Sequence, residues 1–543
     1  MRTVSHPSIE AINHPFFNYT SGRWIYNERL RLTERHQTFN VEALMATIAK
    51  SVGAHSDDIS SLTKIAEGGS FRVFEASFIN NDPVIIRIPY PRTLPHGFGV
   101  ASEVATLEYL RKKGIPVPRV LKWSASHNNP VKAEYMILSK AAGMPLELTW
   151  DTMNMGERLK MVQNVVDFER QLFQLELPAY GSIYHKSYLA CFPEYTSIAI
   201  EGEEDLVIGP SSDLLWWYHG RDQIKADRGP WPDSRAVVTS VGEREMSWLK
   251  AFGQPRFPRQ PFYRELYDNR EVSPLEQIQN LQNYLQVAPL VIPDDTDLRR
   301  PTLRHPDLSP NNIFVSSTAE FTCVIDWQHC AVLPLFIQAS IPEHFQNFGD
   351  EDSENLRPPK PPVIDSESTN SLSPEEHDEI YRKRQLHYFY VGHTSKNNKL
   401  HWAALKQNHL VMRNKIYRAA GRPWEGDNTS LKAELIHVSE NWPAIASAQA
   451  KDMPFPIQFT DEEIRECLDI DRQQVESDAK LQQLRDACPI NFQGWVQTEL
   501  YDEAKAKADY LRGVILEAAA EESEEDRKEM EKLWPFQDHE EID

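Results

Sequence analysis

The chain has few cysteines. Cys191, Cys323, Cys330, Cys467 and Cys488 are odd in number and scattered along 543 residues, which supports neither a disulfide framework nor a zinc site. A reducing compartment suits such a chain. No run approaches the roughly 20 apolar residues of a membrane-spanning helix, and the first residues lack the apolar core of a secretory signal. A basic block is missing too, so a chain with a formal charge of −22 has little with which to displace counterions from a nucleic-acid backbone. The negative charge is itself local. Residues 517–543 hold twelve acidic against three basic residues, and residues 350–379 hold ten against two. These two segments carry 17 of the 22 charges, so the body is close to neutral and the acid belongs to a tail and a loop. No internal repeat is visible. A hydrophobic content of 41% with 13 tryptophans specifies a folded protein, and its length allows more than one domain.

What is present concentrates between residues 304 and 327. Arg304-His305-Pro306-Asp307-Leu308-Ser309-Pro310-Asn311-Asn312-Ile313 is followed by Ile325-Asp326-Trp327. Residues 312–315 and 321–325 are short β-rich runs joined by a polar five-residue stretch, the pattern of a hairpin. One carboxylate then sits in a loop, an amide follows at the start of a strand, and a second carboxylate ends the next strand. Phosphoryl transfer needs such a set: a carboxylate to orient an acceptor hydroxyl and take its proton, and an Asn and an Asp to hold magnesium against a triphosphate. Taken singly, each residue is also a common turn or strand-end residue. The ordered set, with His305 and Trp327 in place, carries the chemical reading.

Nearer the amino terminus, residues 62–66, Glu67-Gly68-Gly69-Ser70-Phe71-Arg72 and residues 73–78 read as strand, glycine turn, strand. Glycines let backbone amides approach phosphate oxygens without a Cβ in the way, although a plain hairpin turn uses the same residues. Residues 100–113 read as a helix, with Val104, Leu107 and Leu110 on one face and Gly114 as its stop.

His305-Pro306-Asp307-Leu308-Ser309-Pro310-Asn311-Asn312-Ile313 with Val324-Ile325-Asp326-Trp327-Gln328 resembles the catalytic segment of the aminoglycoside phosphotransferase and choline kinase superfamily. More narrowly, residues 16–24, 67–74 and 334–339 resemble the fungal altered inheritance of mitochondria protein nine group, and the similarity runs from about residue 16 to residue 511. The resemblance implies an α+β, protein-kinase-like fold of two lobes, a small antiparallel-sheet lobe and a mainly helical one. It implies ATP and magnesium as cofactors and a small-molecule hydroxyl as acceptor, with Asp307 as the catalytic base and Asn312 and Asp326 as metal ligands. Gly68, Gly69 and Ser70 would lie at the phosphates. In the next strand, residues 83–89, kinase-like proteins carry a lysine; this chain has Arg87, larger, planar and forked, yet able to bind phosphate. Glu103 matches the family position of that cation's partner, with Glu108 as the other candidate and a solvated first-turn acid as the plain alternative. Residues 133–140 look like the strand that crosses between the lobes and brings Leu138 to the nucleotide.

The expected organisation is an amino-terminal extension (1–50), a nucleotide-binding lobe (51–140) and a helical lobe (141–511), closed by an acidic tail (512–543) that is helical or disordered from Ala518 onward. The helical lobe contains the catalytic segment 304–328 and an exposed insertion at about 350–379. Trp216, Trp217, Tyr218 and Trp231, with nearby acids, either hold a cationic or amphiphilic substrate through their rings or anchor a loop on the helical lobe. Two functions follow: a phosphotransferase using Asp307, Asn312 and Asp326, or a non-catalytic nucleotide-binding protein that supports mitochondria through partner contacts. A mitochondrial location is implied by the resemblance. The first nine residues contain Arg2, Ser5 and Ser8 and no acid, but the Arg-rich amphipathic stretch of a presequence is short or absent, which leaves a cytoplasmic alternative.

Overall fold

Residues 14–93, 95–361 and 373–539 are described by the structure, a computed structural model. The presequence region and the middle of the proline-rich insertion lie outside the described residues.

Alternating apolar residues build the amino-terminal sheet. After β1 (Gly22–Trp24), α1 (Glu28–Arg35) and α2 (Val41–Ser51) come β2 (Ile59–Glu67), β3 (Phe71–Phe78) and β4 (Val84–Pro89). Helix α3 (Phe98–Lys112), β5 (Val120–Ser124) and β6 (Tyr135–Ser139) follow. Strands β2 to β6 form one antiparallel sheet in the order β2-β3-β4-β6-β5. In β4, Val84, Ile86 and Ile88 share one face, where they pack with Phe74 and Ile137 and with Phe17, Phe39, Leu44 and Ile48 from the extension. Residues 17–48 of the extension therefore supply a layer that covers the sheet. On the opposite face Arg87 lies beside Met136, and Ile85 beside Leu138, toward α3. Helix α3 starts two residues earlier than the apolar spacing predicts, because both carboxylate oxygens of Glu134 accept the Gly97 N–H at 3.0 Å and cap it.

The remainder is mainly helical. Its central helix, Met155–Phe173, begins with Asn154 and Glu157 exchanging hydrogen bonds across the first turn, and buries Met161, Val165, Phe168 and Leu172. Ile313–Val315 and Phe321–Val324 form the hairpin, and Met144–Pro145 adds a third strand to it just after the crossing from the sheet. Both hairpin strands are one residue shorter than the sequence pattern suggests: Asn312 closes a 3-10 turn with Pro310, and Ile325 leaves the strand.

The charged carboxyl-terminal segment is helical and packed. Helix Tyr501–Glu522 runs through the start of the segment read as an acidic tail, and Glu524–Leu533 folds back along it. Trp534 and Phe536 are then buried with Tyr26 beside the strand pair formed by β1 and Trp495–Gln497. Burial of two aromatic side chains outweighs the loose ordering that acidic composition favours. At the insertion, Arg384 on helix Pro374–Asn397 pairs with Asp350 and Asp352, both at 2.7 Å, and tethers its acidic start.

Candidate active site

The segment 304–328 is held from behind. Arg304, nearly buried, donates from Nε and Nη2 to Glu169 Oε1 at 3.1 and 2.9 Å, and from Nη1 to the carbonyl of Gln338 at 2.9 Å. Glu169 is fully buried on the central helix, and Tyr390 donates to its second oxygen. The next residue, His305, is buried too. Its Nδ1 accepts the Asp307 N–H at 3.1 Å, which leaves Nε2 to donate to the Ile325 carbonyl at 2.8 Å. Burial lowers its pKa, so a neutral imidazole staples the Asp307 loop to the residue before Asp326. The Trp327 indole meets the His305 ring edge-on at 4.6 Å and donates to Val324 O at 3.0 Å.

Asp307 itself is exposed. Asn312 Nδ2 donates to its carbonyl at 2.9 Å and to its Oδ2 at 3.0 Å, so the amide nitrogen fixes the loop. The Ile325 N–H donates to Asn312 O at 2.9 Å and ties the two strand ends that carry Asn312 and Asp326. Asp326 adopts a left-handed conformation, φ +67°, which aspartate tolerates better than most residues.

From the other lobe, Arg87 reaches into this site. Its Nη2 donates to Asp326 Oδ1 at 2.6 Å, its Nη1 to Glu103, and its guanidinium lies 4.3 Å from the centre of the Phe71 ring. Burial opposes the Arg87 charge, but the two carboxylates outweigh it and raise its pKa. Burial likewise pushes the Glu103 carboxyl up to about 7, against the pull of Arg87. Of the two acids on α3, Glu103 meets Arg87 and Glu108 faces His185, 3.3 Å away.

The glycine turn joins β2 to β3. Gly68 N–H donates to Phe71 O at 2.9 Å, and Ser70 O accepts from Tyr90 N–H at 3.0 Å and Thr93 Oγ1 at 2.7 Å. Neither glycine has positive φ, and a Cβ on Gly69 would meet nothing within 4 Å. Nothing in the protein demands glycine there; a ligand approaching the backbone would. Leu138 is buried in the main core on the Arg87 face of the sheet.

Sequence reasoning missed the contact of Arg87 with Asp326 and the role of Glu67, which binds residues of the extension. Neither is signalled by spacing. The tryptophans of the middle segment are buried, and their cationic partners are the protein's own: Arg244 lies over Trp216 and Arg228 over Trp217, each at 4.5 Å, with Trp217 stacked on Phe98. They anchor a loop.

Asn312 and Asp326 offer the hard oxygen donors that magnesium prefers, and triphosphate oxygens would complete such a set. Among the described residues no group of three or more His, Cys, Asp or Glu side chains is placed to hold a metal by itself.

Residues 61–336 match the phosphotransferase enzyme family. A subtelomeric hrmA-associated cluster protein of Aspergillus fumigatus is 30% identical, over 88% of this chain and 97% of its own. Altered inheritance of mitochondria protein 9, mitochondrial, from Saccharomyces cerevisiae is 24% identical over 90% of this chain and 87% of its own. Among solved structures, the streptomycin-ATP-APH(2")-IIa ternary complex aligns over 74% of this chain and 97% of that one, at 12% identity and a TM-score of 0.34. The small antiparallel sheet and largely helical second part have the expected α+β arrangement, and the chain belongs to the phosphotransferase enzyme family.

Proposed function

We propose that the protein is an ATP- and magnesium-dependent phosphotransferase acting on a small-molecule hydroxyl. The observation that carries this is the gathering of Asp307, Asn312 and Asp326 on one loop and one hairpin, tied by the Asn312 amide and the Ile325 N–H, with Arg87 reaching them from the other lobe. A purely structural ion pair has no need of a second exposed carboxylate and an oriented amide next to it. Gly68, Gly69, Ser70 and Arg87 would surround the phosphates, Glu103 would hold Arg87, and Leu138 would wall the base. Asp307 would take the acceptor's proton while the acceptor oxygen bonds to the γ-phosphorus and the bridging P–O bond to ADP breaks. Bound at Asn312 and Asp326, magnesium supplies charge neutralisation for the triphosphate. Nothing else is asked of it.

A second reading, nucleotide binding without transfer, is favoured by one contact: Arg87 occupies an oxygen of Asp326 that the metal would use. Calorimetry with and without magnesium, together with ATP turnover across a panel of hydroxyl compounds, separates the two. Asp307→Asn should stop turnover and leave binding largely intact, because the base touches the nucleotide only indirectly. Asp326→Asn should lose both turnover and the magnesium-dependent part of binding. Equal binding losses would mean the roles are misassigned. We also assign the protein to mitochondria, as its yeast relatives are named; tagged chains with and without the first 15 residues test this, and identical diffuse signals would refute it.

A further inference from the structure

We propose that Glu67 is the positioning residue of the glycine turn: its buried carboxylate latches residues 18–24, a strap from the amino-terminal extension, onto the base of that turn and so sets nucleotide affinity. This rests on the phosphotransferase reading. Glu67 is the last residue of β2, and its side chain has no solvent exposure. Oε2 accepts from the backbone N–H of Thr20 at 2.7 Å and of Ser21 at 2.9 Å, and from their hydroxyls at 3.1 and 2.9 Å. Oε1 accepts from Arg72 Nε at 3.1 Å and Lys64 Nζ at 2.9 Å. Arg72 is also buried, stands opposite Glu67 across the turn, and donates to Arg35 O at 3.1 Å. Six donors thus converge on one carboxylate at the foot of a turn whose own residues are only lightly tied.

The strap is anchored at its far side as well. Strand β1 pairs with Trp495–Gln497, and Thr498 Oγ1 donates to Thr20 O at 2.9 Å. Both ends of the chain therefore bear on the turn through one side chain. Burial pushes the Glu67 carboxyl up, but Lys64, the Thr20 amide and Arg72 outweigh it and hold it below its ordinary range. Glutamine has the same shape and cannot replace it: one oxygen faces two backbone N–H groups and the other faces two cations, so an amide –NH2 meets donors on either side.

The test uses the full chain, a non-hydrolysable ATP analogue with magnesium, calorimetry, and hydrogen exchange at the Thr20 and Ser21 amides. Glu67→Gln should weaken binding about tenfold, the loss of one charged hydrogen-bonding partner. Thr498→Val, at an exposed position, removes a single strap contact and should weaken it about threefold. In the unmutated protein the analogue should slow exchange at Thr20 and Ser21, because coupling between turn and strap is reciprocal; a merely structural Glu67 would leave that exchange unmoved. If Glu67→Gln does not fold, Thr498→Val and the exchange measurement decide. Undiminished affinity in Glu67→Gln with fast-exchanging strap amides overturns the inference and leaves the phosphotransferase reading standing. Absence of any nucleotide binding in the unmutated protein overturns both.

Discussion

Arg87→Lys should tighten magnesium-dependent nucleotide binding. In the structure the guanidinium bridges Glu103, whose side chain is 1% exposed, and Asp326, which is 33% exposed. A metal that takes Oδ1 of Asp326 must first displace Arg87 Nη2, 2.6 Å away. A wholly exposed pair is worth at most about 1 kcal/mol, and truncating one partner of a buried pair costs about 3–5 kcal/mol. This pair is open to water on the Asp326 side, so about 1 kcal/mol is the cost of breaking it after allowance for solvent screening. Lysine has one shorter arm and a single ammonium head, which the buried Glu103 retains. Its charge still serves the phosphates. Released from its competitor, Asp326 should gain about fivefold in magnesium-dependent affinity, at about 1.4 kcal/mol per factor of ten. Calorimetric titration of the ATP analogue at saturating and zero magnesium measures this directly. A tenfold loss under both conditions would show that the forked guanidinium is itself the main phosphate contact, and the competition argument would fail.

Glu169→Ala removes the partner of Arg304 where both are nearly or fully buried, and should destabilise the fold by about 3–5 kcal/mol in denaturant unfolding; a loss below about 1 kcal/mol would mean that the network does not hold the catalytic segment. Glu134 bears on pH. Burial raises its carboxyl to about 7 from an ordinary 4.5, against the opposing Gly97 amide. Its folded pKa is raised, so the stability it contributes is full below about pH 4.5 and is lost as pH rises through about 7, up to about 3 kcal/mol by pH 8. Glu134→Gln keeps an acceptor for Gly97 and should flatten that fall, measured by urea unfolding at pH 5 and pH 8. His96 and His127, whose Nδ1 atoms stand 3.9 and 3.8 Å from Glu134, face the same carboxylate. An unchanged fall in the variant would refute its assignment to Glu134.

The candidate site is legible as a unit because its residues are nearly contiguous. Asp307, Asn312 and Asp326 lie within twenty residues on one loop and one hairpin, so spacing alone places them together. Arg87 is readable by alternation: Val84, Ile86 and Ile88 claim one face of β4, which sends Arg87 to the other. What spacing cannot show is what meets across long separations. The Arg87 contact with Asp326 depends on how two lobes pack, and Glu67 reads as a strand-end acid until Thr20 and Ser21 are folded onto it. The tryptophans of the middle segment look equally suited to a ligand or to a core, because an aromatic ring serves both; only their burial against Arg228 and Arg244 decides.

The termini are misread for one shared reason. An aromatic and basic start and an acidic end each look like appendages when judged by composition over a window. A five-stranded sheet, however, has two faces, and one apolar face needs a covering layer, most of which the residues between β2 and β6 do not supply. Phe17, Phe39, Leu44 and Ile48 form that layer. Once the extension is committed there, Trp24 and Tyr26 follow it to the edge, where β1 needs a partner strand and finds Trp495–Gln497. Tyr26 then offers the apolar surface on which Trp534 and Phe536 close the chain. The chain of dependence runs from the sheet face outward to the carboxyl terminus, and it passes through Thr20 and Ser21 on the way. Those are the residues that Glu67 holds, one residue before the glycine turn.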